Sequence, residues 1–123
     1  MLTLLDCEAV IALNKRVLLP EELCGLAADK SLPACLGRVD NRLAYGFIND
    51  VIDLGVAYAE AISQGHCFLD GNKRTAFACM DVVFVLHGVA ITWPTTETGD
   101  QIIALAQRKL EAADFGRWIR SLF

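Results

Sequence analysis

The run Ala76-Phe-Ala-Cys-Met-Asp-Val-Val-Phe-Val-Leu86 constrains this chain more than any other. It is apolar on almost every side, and a helix of that kind belongs inside a fold, enclosed by other helices. Directly before it stands His66-Cys67-Phe68-Leu69-Asp70-Gly71-Asn72-Lys73-Arg74-Thr75, which brings a histidine, a carboxylate, a glycine, an amide and two cations together. A polar loop therefore feeds straight into the first turn of a central helix, expected over about residues 73–87 and stopped at Gly88.

That junction is electrostatically odd. Helix N-termini carry partial positive charge and unpaired N–H groups, so acidic residues are favoured there and basic ones are not. Lys73 and Arg74 stand where the dipole should repel them. An anion at that terminus, held by backbone amides and both cations, resolves the conflict, and Gly71 lets the backbone approach it closely. Asp70 is out of place beside a bare phosphate unless a divalent metal lies between them, and Mg²⁺ is typically held by one or two carboxylates plus substrate phosphates. Singly, each residue has a plainer reading: Asp70 or Asn72 as an N-cap, His66 as structural. Together they read as a nucleotide–metal site with a histidine beside it. A Walker A loop is excluded, because Gly65 to Asn72 lacks its spacing and no strand precedes it.

A chain of 123 residues supports one domain, 1–123, with a single core. At 54% hydrophobic residues it is globular and not disordered. No apolar run has membrane-spanning length and no basic-then-apolar segment follows Met1, so the expected location is cytoplasmic, with no membrane partner. The five cysteines (Cys7, Cys24, Cys35, Cys67, Cys79) are odd in number and contain no Cys-x-x-Cys pair, which argues against a disulfide framework and against zinc. A net charge of −4 gives no general basic field, so direct nucleic-acid binding is not expected.

Apolar spacing and end signals place about six helices and no substantial sheet, an all-α fold. Asp6 caps a first helix through about Lys15, with Leu5, Ala9, Val10 and Leu13 inward. Residues 16–26 are irregular around Pro20 and Gly25. Asp29 or Ser31 opens a second helix to about Arg42, with Leu32, Cys35, Leu36 and Val39 as its stripe. Arg38 and Arg42 read as solvated or ion-paired. A third helix runs from Ile48 to Gln64, with Gly65 as its left-handed stop. Within the central helix, Asp81 must meet solvent or a hydrogen-bond donor, and His87 suits the helix end without a function. Val89 to Pro94 is extended. Thr98-Gly-Asp-Gln101 resembles a capping box opening the next helix through Leu110. Asp114 is expected to cap the last helix, with Phe115, Trp118, Ile119, Leu122 and Phe123 as core positions.

The string His-x-Phe-x-Asp-Gly-Asn-Lys-Arg-Thr, here His66 to Thr75, resembles the signature of the Fic/Doc family. Fic adenylyltransferases generally show His-Pro-Phe-x-x-Gly-Asn-Gly-Arg. Cys67 and Lys73 make this loop similar to the Doc type, whereas Gly71 is closer to the Fic form. Further similarity lies in Gly25-Leu-Ala-Ala-Asp29, Leu32, Leu36, Arg38 and Tyr45. Residues 16–26, a substrate-aligning flap in Doc-type proteins, depart most. The helix order matches the Doc form of the Fic fold over nearly the whole chain.

The resemblance implies a toxin of a toxin–antitoxin system that moves a group from ATP to a hydroxyl of a target protein. His66 would be the general base and Asp70 the Mg²⁺ ligand. Gly71, Asn72, Lys73 and Arg74 would bind phosphate. Phe68 would anchor the loop in the core. Lys73 implies phosphoryl transfer, that is, protein kinase chemistry. The implied acceptor is a threonine of the elongation factor that delivers aminoacyl-tRNA, whose modification would halt translation. AMP transfer is the alternative, and a non-catalytic co-repressor that only binds its antitoxin is another. No self-inhibiting Ser/Thr-x-x-x-Glu-Gly/Asn string occurs, so restraint would come from a Phd-like antitoxin laying a helix in an apolar groove. Cys67 is rejected as a nucleophile, because adjacent loop side chains rarely align with one another.

Overall fold

A computed structural model describes residues 2–123. It contains α1 (Cys7–Val17), α2 (Leu32–Ala44), α3 (Val51–Gly65), α4 (Asn72–Leu86), α5 (Thr95–Ala106) and α6 (Ala112–Arg120). No β-strand forms among the described residues, and the one extended pairing is an isolated antiparallel bridge between Leu26 and Phe68. The all-α architecture of about six helices is the one read from apolar spacing.

The centre is an antiparallel pair, α3 against α4. Gly55, early in α3, lies against the end of α4: a Cβ there would sit 2.4 Å from Phe84 Cε1 and 3.1 Å from Met80 Cγ. Only glycine admits so close an approach. The sequence placed α4 at the centre, and α4 does pack on α1, α3 and α5. The more fully enclosed helix is nevertheless α3, which buries residues from Ile52 to Ser63 on nearly every side. On α4, burial is confined to Thr75, Ala76, Cys79, Met80, Val83 and Phe84, while Val85 and Leu86 are exposed. Apolar composition alone does not distinguish a helix enclosed by neighbours from one that leaves an apolar face open.

Three helix starts follow their capping chemistry. Asp6, Ser31 and Asp50 accept from the N–H groups of Ala9, Ala34 and Asp53. The third helix therefore begins at Val51, later than Ile48. Two later starts differ from the sequence reading. The capping box at Thr98 does not form: α5 begins at Thr95, directly after Pro94, and Thr98 lies buried inside it, donating its hydroxyl to the Pro94 carbonyl at 2.7 Å. Asp114 is likewise inside the first turn of α6, where it pairs with Arg117, and Glu111 occupies the capping position. Phe115 and Ile119 are buried as expected, but Phe123 lies beyond the helix and is exposed.

Two further expectations hold. Asp81 accepts from Trp93 Nε1 at 3.1 Å, and Trp93 packs between Phe77 and Phe84. Arg42 pairs with Glu60 at 2.5 Å. His87 is a structural link: its Nε2 accepts from the Thr3 N–H at 2.9 Å, so its Nδ1 donates to the Val83 carbonyl. All five cysteines are free, with Cys35, Cys67 and Cys79 buried. Burial pushes the Cys35 and Cys79 thiols up to about 12.

Candidate active site

The loop from His66 to Gly71 is held on four sides. Phe68 is buried and fixes the loop to the core. Its main chain is clamped by one side chain: Asn72 Oδ1 accepts from the Phe68 N–H at 3.0 Å, and Asn72 Nδ2 donates to the Phe68 carbonyl at 2.9 Å. The segment between α1 and α2 lies alongside, with the Ala27 N–H on the Cys67 carbonyl at 2.8 Å and the Leu69 N–H on the Gly25 carbonyl at 3.0 Å. From α1, buried Asn14 donates through Nδ2 to the Asp70 carbonyl and to Thr75 Oγ1, each at 3.0 Å.

His66 is exposed and adopts a left-handed conformation, φ 50° and ψ 41°. The sequence reading gave that role to Gly65. Gly65 is instead the last residue of α3, and its lack of a side chain serves packing: a Cβ there would lie 2.9 Å from Cys35 Sγ and 3.4 Å from Cys67 Sγ. The reversal of direction falls on the next residue. It sends the imidazole outward while Cys67 turns inward, so a Cys67–His66 nucleophile–base pair is absent.

Gly71 is the N-cap of α4 at φ 77°, a conformation that side chains rarely adopt, and Leu18 Cδ2 would lie 3.0 Å from a Cβ there. No side chain caps this terminus, so neither Asp70 nor Asn72 plays the plain capping role. The first N–H groups of α4 are left for something else. Lys73 is exposed and enters no ion pair among the described residues.

Arg74 is engaged. Its Nη2 meets Glu22 Oε2 at 2.5 Å and its Nη1 donates to the Val17 carbonyl at 2.8 Å. The hydrogen bond to Glu22 raises the guanidinium above its ordinary value, and the same bond, helped by the Leu19 N–H, lowers the Glu22 carboxyl. Asp70 Oδ2 accepts from the Leu23 N–H at 2.8 Å. The stretch from Leu19 to Leu23 thus acts as a strap across two of the residues that the sequence singled out.

The donor set fits a nucleotide-borne metal. Among the described residues no three His, Cys, Asp or Glu side chains converge, so a protein-only cage is absent. Among the described residues Asp70 Oδ1 makes no protein hydrogen bond, leaving one carboxylate oxygen. That matches Mg²⁺, which uses one or two carboxylates and takes its other ligands from phosphate and water.

The site therefore unites His66, Asp70, Gly71, Asn72, Lys73 and Arg74 within one loop and one helix turn. Two of them differ from expectation in their engagements. The Asn72 side chain clamps the loop, which leaves its main-chain N–H as the group that could face an anion. Arg74 reaches an anion only by leaving or sharing Glu22. The sequence reading missed Asn14 and Glu22. Asn14 had a signal, as a polar residue one turn after buried Val10 on an apolar stripe; Glu22 had none.

Beside the loop runs a groove of about 830 Å³ between α1, α4 and α5. Leu13, Phe77, Trp93 and Ile102 give it apolar walls, Lys73 and Arg74 stand in its lining, and Asp81 is its acid. His66, Asp70, Gly71 and Asn72 do not line it. Among the described residues no helix is long and apolar enough to cross a membrane.

The sequence model of the Fic/DOC family matches residues 5–84. The chain is also 29% identical, over 101 residues, to the protein kinase doc of Escherichia phage P1, an alignment covering 82% of this chain and 79% of that protein. The family match takes in α1 to α3, the entire loop between α3 and α4, and α4 up to Phe84, which is the part of the fold that builds the site. With a signature loop, an all-helical fold and that match in agreement, the chain belongs to the Fic/DOC family.

Proposed function

We propose that the protein is a Doc-like toxin that transfers the γ-phosphoryl group of ATP to a hydroxyl of a target protein. The observation that carries this reading is the juxtaposition of an outward-facing imidazole at His66, without a hydrogen-bond partner among the described residues, with an uncapped helix N-terminus bearing Lys73. Similarity to a protein named as a kinase supports the choice of phosphoryl transfer.

His66 takes the proton of the incoming hydroxyl, the general-base task to which an imidazole nitrogen with a free lone pair is suited. The main-chain N–H groups at the start of α4 hold phosphate oxygens, and the helix dipole adds to their attraction. Lys73 neutralises charge on the phosphoryl group as it moves, and Arg74 does so once Glu22 yields it. Asp70 Oδ1 would hold Mg²⁺, which would supply charge neutralisation to the phosphates as the hydroxyl approaches. Gly71, a feature shared with AMP-transferring relatives, has a local reason here in its φ of 77°. The acceptor that the family resemblance favours is a threonine of the elongation factor delivering aminoacyl-tRNA.

A neutralising antitoxin fits the groove between α1, α4 and α5. Its apolar walls suit the face of an amphipathic helix, and acidic residues of that helix would meet Lys73 and Arg74. A segment seated there competes for the two site cations without covering His66.

The test is transfer to bacterial extract from ATP labelled at the α- or the γ-phosphate, with His66→Ala alongside. Label from γ alone, lost in the variant, is expected. Label from α makes the protein an adenylyltransferase. Absence of both, with antitoxin binding intact, makes it a binding protein.

A further inference from the structure

The N-terminus of α4 is shaped from inside the molecule by two buried side chains. In a planar trans peptide the carbonyl and the following N–H point in opposite directions. Fixing a carbonyl therefore aims the next residue's N–H. The Asp70 carbonyl is drawn inward by Asn14 Nδ2 at 3.0 Å. The Gly71 carbonyl accepts from both the N–H and the hydroxyl of Thr75, each at 2.8 Å. Thr75 Oγ1 in turn accepts from Asn14 Nδ2 at 3.0 Å. Asn14 is 1% exposed and Thr75 0%, so both carbonyls are pulled toward the interior.

The opposite ends of these two peptide planes are the N–H groups of Gly71 and Asn72. Both are turned away from the interior, and neither has a protein acceptor among the described residues. Gly71 has φ 77°, a free-hinge conformation for a residue without a side chain, and would not hold its peptide planes by itself. The single amide of Asn14 reaches both planes at once, one directly and one through the Thr75 hydroxyl.

We infer that Asn14, acting with Thr75, is a positioning residue that aims the Gly71 and Asn72 N–H groups at a phosphate. The inference deepens the proposed phosphoryl transfer and rests on that reading for its physiological ligand. Asn14 touches no substrate. Its effect is to set the orientation of donors on a loop 56 residues away in sequence. Leucine at 14 would have nearly the same shape without the donors, and serine at 75 would keep the hydroxyl that valine loses.

The test reads the amides directly. Amide NMR spectra of the full chain are recorded for wild type, Asn14→Leu, Thr75→Val and Thr75→Ser during titration with inorganic tripolyphosphate and, separately, with Mg·ATP. The Gly71 and Asn72 signals are expected to shift in wild type. Binding should weaken at least about tenfold in folded Asn14→Leu and Thr75→Val, while Thr75→Ser stays close to wild type. A lower Tm in Asn14→Leu or Thr75→Val with wild-type phosphate affinity would overturn the inference. So would wild-type Gly71 and Asn72 signals that neither ligand moves. Should Asn14→Leu not fold, the Thr75 pair decides the matter alone, because valine and serine differ there in the hydroxyl bond at issue. An intact tripolyphosphate response without label transfer from ATP to protein would leave the positioning role standing and remove the kinase reading.

Discussion

Arg74 and Glu22 meet at 2.5 Å across 52 residues of sequence, which joins the first turn of α4 to the strap between α1 and α2. The pair places a carboxylate against a cation proposed to engage phosphate. A nucleotide bound as proposed at this terminus would compete with Glu22 for Arg74. Glu22→Gln is therefore expected to bind ATP a few-fold more tightly than wild type, and isothermal titration calorimetry measures the difference. Weaker binding in that variant would show that the strap helps to form the site instead of restraining it.

The same pair has a pH signature. Arg74 holds the Glu22 carboxyl below its usual value of 4.5. A group whose folded value is depressed contributes stability above its unfolded value and loses it as pH falls through the folded one. The strap should therefore stay attached at pH 4.5 and detach only in more acidic solution. Glu22 Oε1 accepts from the Leu19 N–H at 2.7 Å, so the Leu19 amide shift reports its titration. Its midpoint should lie below 4.5 and rise toward that value in Arg74→Ala.

His66→Ala should abolish transfer while leaving thermal stability within about 0.5 kcal/mol of wild type, because the side chain is exposed and supports no neighbour. Matched calorimetry and labelled-ATP assays measure the two properties. Loss of stability together with activity would assign His66 a structural role.

Gly55→Ala tests the central helix pair. A methyl group 2.4 Å from Phe84 Cε1 forces the Phe84 ring or one of the two helices to shift. Chemical denaturation is expected to show a loss of about 1–3 kcal/mol. An unchanged midpoint would mean that the Phe84 ring moves aside freely.

Tyr58→Phe tests how the segment before α1 is tied down. The Tyr58 hydroxyl accepts from the Leu5 N–H at 2.8 Å deep in the core, and burial pushes its pKa upward, so it stays protonated in mildly alkaline solution. Removing it strands a buried N–H, at a cost of about 1–3 kcal/mol in the same denaturation assay.

What the sequence disclosed follows the range of the interactions. Helices were legible because their apolar spacing and caps are local: Asp6 and Ser31 each cap three residues ahead. The start of α5 was misplaced because Thr98 has the residue type of a cap but bonds backward to Pro94 inside the helix. The loop's chemistry was legible from residue types in one ten-residue stretch. Its engagements were not, because Asn14 and Glu22 approach from a distant part of the chain, and Asn72 turns its amide onto Phe68. Position 65 was misjudged for a related reason. A glycine after a helix usually signals a left-handed stop, whereas this one answers to a sulfur atom on α2.

That sulfur has a consequence for how the protein tolerates change. Cys35 Sγ fills the space that a side chain at 65 would need, directly before the left-handed turn at His66. The setting of the signature loop thus extends to an interior position outside the signature. Enlarging Cys35 would press on Gly65 and rotate the last turn of α3, which would turn the imidazole without altering any residue of the signature. A lineage that drifts at Cys35 would keep an intact motif and a folded protein while losing the aim of its histidine.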